Sequence, residues 1–234
     1  NNNLNYKMQL LNQAGIFFHA NLEQMRCLKK SANMIYECKI NGERFILRLI
    51  ERSPEFAHFV RGEINWINYL GDNGIQVLRA IPSLHGDYVA MIKDERSCYL
   101  ASCFMIGKGH HVNPDNPHEW NDLLFEKWGQ TMGKMHALSK NYVIKDISMS
   151  RPNWNYGPLF SSDLNLGPRE DNILKIWRHL LNELESLPKD RDSYGLVHND
   201  FHQNNILIYG SDIIVIDFDD SRFNWFACDI AIFL

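Results

Sequence analysis

The sequence predicts an α+β protein, with an N-terminal antiparallel sheet and one helix followed by a mainly helical C-terminal part. Three observations support this. Two β-favouring runs, "MIYECKI" and "RFILRLI", flank Asn41 and Gly42, residues that accept the left-handed backbone of a tight hairpin turn. Apolar residues recur at helical spacing after Ser53-Pro54 and again after Trp120. Near the end, "LVHNDFHQNNILIYGSDIIVIDFDD" (196–220) sets two short apolar runs among Asp, Asn and His.

The elements follow in order. The start, "NNNLNYK", is Asn-rich and carries no pattern, so the sheet-plus-helix unit is expected from about residue 24 to residue 104. Its helix, "SPEFAHFVRGEINWINYLGDNG", opens on Ser-Pro and ends at Gly71 or Gly74, with Phe56, Phe59, Val60, Ile67 and Leu70 on one stripe. "DYVAMI" and "CYLASCFMI" read as two more strands. "GKGHHVNPDNP" then reads as a polar linker, which divides the chain into 1–104 and 105–234. Beyond it, "WNDLLFEKWGQTMGKMHALS" is a helix with Leu124, Trp128, Met132 and Met135 on one face; His136 shares that face and is expected to be a core histidine. "RPNWNYGPLFSSDLNLGP" reads as loop and "REDNILKIWRHLLNELESL" as helix, while "NILIY" and "IIVID" form a hairpin about "GSD".

Composition excludes several classes. A chain of 234 residues, 45% hydrophobic and 22% charged, can bury a sizeable core. Its net charge of −4, a pI near 6.2 and the lack of a Lys/Arg-rich run argue against a nucleic-acid partner. No apolar run approaches the roughly 20 residues that span a bilayer, and the N-terminal residues lack a signal-peptide core, so a cytoplasmic protein without a membrane partner is expected. Five cysteines, without a C-x-x-C pair, fit reduced thiols; all five are expected as small buried apolar residues.

Two charges stand where apolar residues belong. Glu63 falls in the middle of the apolar stripe of its helix, and Arg48 lies inside "FILRLI", a strand apolar on both faces. A buried charge needs an opposite partner, so the two are expected to pair. In the second hairpin, Asn205 and Asp217 are equidistant from Ser211 and are expected to face each other at its open end. An amide oxygen beside a carboxylate is a hard-oxygen pair suited to Mg²⁺. Asp200, five residues before Asn205, can reach the same space, where a carboxylate could orient the proton of an attacking hydroxyl.

"HNDFHQNN" followed by "VIDFDD" resembles the catalytic loop and metal-binding segment of the aminoglycoside phosphotransferase and choline kinase-like family, whose members usually read H-G-D-x-H-x-x-N and then I-D-F or I-D-W. The resemblance covers roughly residues 28–234 and implies a two-lobed protein-kinase-like fold. It implies an ATP- and Mg²⁺-dependent phosphotransferase acting on a small-molecule hydroxyl. By that match Asp200 is the catalytic Asp, Asn205 and Asp217 are the Mg²⁺ ligands, and His198 and His202 support the loop. Arg48 falls at the phosphate-contacting basic position, Glu63 at its helix partner, and Asp229 at the Asp that braces the loop. Ser31 and Asn33, in the glycine-free "KKSANMIYE", would approach the phosphates, and the adenine would lie against "SCFMIG", hence Phe104 and Ile106. Asn199 replaces the usual Gly, which is tolerable where the backbone is extended or left-handed. Only 12 residues separate Asp217 from Asp229, too few for a peptide-docking activation segment, so a small acceptor is favoured. Eight Asp against two Arg in 190–234 favour a cationic one, such as an amino alcohol or aminoglycoside, with Asp219 and Asp220 facing it. Family members generally continue with further helices, so a longer protein is expected. Two alternatives stand beside this reading. One is a metal-dependent hydrolase using His198, Asp200, His202 and Asp217; the other is a non-catalytic nucleotide-binding module.

Overall fold

The computed structural model describes residues 2–30, 33–93, 97–161, 164, 167 and 170–233. Helix α1 (Asn2–Phe18) precedes strands β1 (Asn21–Lys30), β2 (Asn33–Ile40) and β3 (Glu43–Glu51), helix α2 (Ala57–Asp72), and strands β4 (Ala80–Ile81), β5 (Ala90–Lys93) and β6 (Cys98–Met105). Their antiparallel sheet has the order β1-β2-β3-β6-β4, with β5 also paired to β6. The Asn41-Gly42 turn forms as expected: both residues have positive φ, 53° and 87°, and Ile40 faces Glu43 across them.

The early residues differ from expectation. Residues 2–18 are helical and 21–30 are a strand, so the sheet unit begins well before residue 24 and carries two helices rather than one. The physical reason lies in β3. Leu47 and Leu49 point to a core formed with Leu10, Leu11, Ala14 and Phe18 of α1, whereas Ile50 belongs to a second core with Val60, Ile64 and Ile67 of α2. A strand apolar on both faces needs a cover on each, and α1 is the second cover. Its isolated apolar residues among Asn and Gln hid this.

The C-terminal part contains strand β7 (His110–His111), helices α3 (Asp122–Ser139) and α4 (Asp171–Ser186), strands β8 (Tyr194–Val197), β9 (Ile206–Tyr209), β10 (Asp212–Val215) and β11 (Arg222–Trp225), and helix α5 (Ala227–Phe233). The supposed linker thus supplies a short strand, which pairs with β9 next to β10, while β8 pairs with β11. Asn121 caps α3 by accepting from the Leu123 and Leu124 amides, and Leu124, Trp128, Met132 and Met135 are buried on its inner face. Among the described residues no helix is long and apolar enough to cross a membrane. All five cysteines are free thiols, but only Cys38 and Cys103 are buried; Cys98 and Cys228 are half-buried, and Cys27, on edge strand β1, is exposed. The expectation of five buried cysteines therefore holds for two of them.

Helix α2 packs against the C-terminal part as well as against the sheet. A Cβ on Gly62 would lie 2.1 Å from the Ser150 carbonyl oxygen, so only glycine lets the helix approach residues 149–150. One turn on, Trp66 is fully buried with its ring against Tyr142. Burying an aromatic of that size stabilises the junction by roughly 3 kcal/mol.

Candidate active site

Arg48 and Glu63 pair as expected. Arg48 Nη1 and Nη2 donate to Glu63 Oε1 and Oε2 at 2.6 and 2.8 Å, Nε donates to Ser102 Oγ at 3.3 Å, and Glu63 is 0% exposed. Burial works against the Arg48 charge, but Glu63, aided by Asp219 and Asp217, outweighs it and raises the pKa above the usual arginine value. The guanidinium also lies over the Phe104 ring, 4.9 Å from its centroid. Phe104 is buried at this spot, and Ile106 is half-buried just beyond β6.

The loop after β8 is held from behind. Asp229, fully buried in α5, accepts from the Asn199 amide at 2.7 Å, the His198 amide at 3.3 Å and His136 Nε2 at 2.8 Å. His136 is thus not a passive core residue: it ties α3 to the Asp that braces the loop. Asn199 has φ 65°, the left-handed conformation that Asn accepts better than most residues, and its side-chain oxygen accepts from Asn224 Nδ2 at 3.0 Å. His198 is buried, with Nε2 3.0 Å from the Ile216 carbonyl. Desolvation holds its pKa below the ordinary histidine value despite Asp229, so the ring is neutral, with its proton on Nε2. His202 Nδ1 accepts from the Asn204 amide at 3.1 Å, which leaves Nε2 facing Asp200 Oδ1 at 3.4 Å. Both histidines therefore support the loop by hydrogen bonds.

Asp200 and Asn205 are joined directly. Asn205 Nδ2 donates to both the main-chain oxygen and Oδ2 of Asp200, each at 2.8 Å. The amide nitrogen is thereby committed, and Oδ1 is the atom left for another ligand. Asp217 does not face Asn205 as expected. The hairpin turns on two residues, Gly210 and Ser211, so Tyr209 pairs with Asp212 and Asn205 lies opposite Ile216. Gly210, at φ 61°, permits that shorter turn. Asp217 comes one residue later, exposed and at φ 62°. Both side chains offer hard oxygens, the donor type that Mg²⁺ takes.

Asp219 bridges the two parts of the molecule: its Oδ2 accepts from Asn33 Nδ2 of β2 at 3.0 Å. Burial alone would raise this carboxyl, but Arg48, the Asn33 hydrogen bond and Arg151 hold it below the usual carboxylate range. Burial pushes Asp220 up, as do the Asp219, Asp200 and Asp217 carboxylates. Ser31 lies outside the described residues. The sequence reading missed Arg151, which stands in an aperiodic loop before Pro152 with no pattern to mark it. It also missed Asn224, whose strand is too short to show alternation.

The Phosphotransferase enzyme family matches residues 29–234. The chain belongs to this family. Amicoumacin kinase of Bacillus subtilis (strain 168) is 30% identical to it over 98% of this chain and 68% of that protein. Among solved structures, an amicoumacin kinase in complex with AMP-PNP, Ca²⁺ and Ami superposes with a TM-score of 0.87 at 30% identity, covering 96% of this chain and 67% of that one. A microcompartment-associated aminopropanol kinase shares the fold, with a TM-score of 0.74 at 22% identity over 96% of this chain and 73% of that one. The chain spans about two thirds of the length of the amicoumacin kinases it matches. It is a phosphotransferase of the kinase-like fold.

Proposed function

We propose that this phosphotransferase moves the γ-phosphate of ATP to a hydroxyl of a small cationic molecule, an amino alcohol, aminoglycoside or similar. The observation that carries this is the pair of hydrogen bonds from Asn205 Nδ2 to Asp200, which fixes a carboxylate beside an amide oxygen. In this reading Asn205 Oδ1 and the Asp217 carboxylate hold Mg²⁺. When bound, the metal neutralises charge on the transferring phosphoryl group. Arg48, kept rigid by Glu63, contacts the nucleotide phosphates, which Asn33, the first residue of β2, also approaches, and the family resemblance gives Ser31 the same role. Asp200 orients the acceptor hydroxyl and takes its proton, a role worth about a hundredfold or more in rate. Phe104 and Ile106 mark the adenine side, and the lobes divide after Phe104, into 1–104 and 105–234. Burial is the main cause of the raised Asp220 pKa, and the neighbouring Asp219, Asp200 and Asp217 carboxylates add to it; an ammonium group placed there would relieve that added repulsion, which supports a cationic acceptor. A cytoplasmic location, where ATP is abundant, fits the free thiols.

The hydrolase alternative gains no support from the geometry: His198 Nε2 is taken by the Ile216 carbonyl and His202 Nδ1 by the Asn204 amide, and among the described residues no three His, Cys, Asp or Glu side chains are grouped to hold a metal ion. A screen of hydroxylated amines for Mg²⁺-dependent ADP release tests the reading. Turnover with at least one amine-bearing alcohol, lost when the hydroxyl is methylated, is expected; turnover on neutral alcohols alone would overturn the cationic acceptor.

A further inference from the structure

Arg151 follows the strip of chain against which Gly62 of α2 rests, and its guanidinium is buried with no carboxylate in salt-bridge contact among the described residues. Its hydrogen bonds among the described residues all go to main-chain carbonyls. Nη1 donates to Phe59 O of α2 at 2.7 Å, Nε donates to Ser221 O at 2.7 Å, and Nη2 donates to Asp219 O. Asp219 and Ser221 belong to the turn that immediately follows Asp217, closed by the Ser221 amide on Phe218 O at 2.9 Å. Desolvation lowers the Arg151 pKa, with Glu63 and Asp219 as the compensating charges. A structure that needed only packing here could use an apolar side chain at less expense. The planar fork instead spans two elements that carry different halves of the site.

We infer that Arg151 is a positioning residue for phosphoryl transfer: it sets the segment bearing Asp217 against the helix bearing Glu63. The inference rests on the proposed role of Asp217 as a cation ligand. Only a fork with donors on all three nitrogens reaches the Asp219 and Ser221 carbonyls and α2 together. Lysine, a point charge, can satisfy one side but not both. Loss of the fork frees the Asp217 segment from Glu63 and hence from Arg48, which blunts the part of nucleotide affinity that depends on the divalent cation.

The test is the affinity for ATP by titration calorimetry, with excess Mg²⁺ and again with EDTA, alongside a thermal melt. Wild-type protein, Arg151→Met, Arg151→Lys and Gly62→Ala are compared. Gly62→Ala displaces residues 149–150 without touching the guanidinium, and Arg151→Lys keeps the charge should Arg151→Met fail to melt cooperatively. The expected result is a fall of about tenfold in the Mg²⁺-dependent gain in affinity for Arg151→Met and Gly62→Ala, with an intermediate fall for Arg151→Lys and little change in EDTA. Lower melting temperatures with an unchanged Mg²⁺-dependent gain would overturn the inference alone, leaving Arg151 a structural residue. A wild-type protein whose ATP affinity ignores Mg²⁺ would overturn the reading of Asp217 and the inference with it.

Discussion

Asn205 donates its amide to Asp200 twice, once to the main chain and once to the carboxylate, at 2.8 Å each. The group proposed to hold the cation therefore also sets the direction of the group proposed to handle the acceptor proton. A single amide can do this only because Asp200 and Asn205 are five residues apart in a loop pinned at its start by Asp229 and at its end by β9. Charge stabilisation and hydroxyl orientation then share one rigid unit, which suits a reaction whose catalysis is mostly positioning.

The Arg48–Glu63 pair makes the first prediction. With Glu63 fully buried and both guanidinium nitrogens within 2.8 Å of it, removing either partner strands a charge. Arg48→Met or Glu63→Gln should each lose about 3 to 5 kcal/mol in urea unfolding, and the double variant less than the sum, with a coupling of about 1 kcal/mol or more. Additive losses would mean that the two charges are satisfied separately.

His198 makes the second. Its folded pKa lies below the ordinary value near 6.5, so below that pH the unfolded chain binds a proton that the folded protein refuses. Its contribution to stability is full above pH 6.5 and falls as pH drops through the folded value, with a slope of up to about 1.4 kcal/mol per pH unit. Unfolding free energies between pH 7 and pH 5 should show this slope, and His198→Phe, although less stable, should lose it. An identical slope in the variant would assign the titration to another group.

Asn199 makes the third. At φ 65° a residue with an ordinary Cβ is strained, whereas Gly is not. Asn199→Ala and Asn199→Gly both lose the bond to Asn224, and only alanine adds the left-handed backbone strain, so Asn199→Ala should be about 1 to 2 kcal/mol less stable than Asn199→Gly in chemical unfolding. Equal losses in both variants would show that the Asn224 bond, not the backbone, sets the residue.

These residues show how far the sequence could be read. Glu63 and Arg48 were legible because a charge in an apolar pattern breaks a local rule, and the pairing followed from burial alone. The Asn205 hairpin was legible in kind but one residue out in register. Turn length decides register, and "GSD" does not reveal that the turn closes on Gly210 and Ser211. Helix α1 was illegible because the apolar residues that it buries, Leu10, Leu11, Ala14 and Phe18 among them, are interrupted by Asn12, Gln13 and Gly15. The two-sided apolar strand β3 had nonetheless implied a second cover. Arg151 and the His136–Asp229 bond join segments far apart in the chain, and no local pattern encodes such a meeting.

The most direct test compares Asp200→Asn with Asp217→Asn in two assays, Mg²⁺-dependent ATP binding and single-turnover transfer to an amine-bearing alcohol that the wild type accepts. If Asp200 handles the acceptor proton, Asp200→Asn should bind Mg-ATP nearly as wild type yet lose at least about a hundredfold in rate, while Asp217→Asn should lose Mg²⁺-dependent binding itself. Near-normal transfer by Asp200→Asn would contradict the account at its centre.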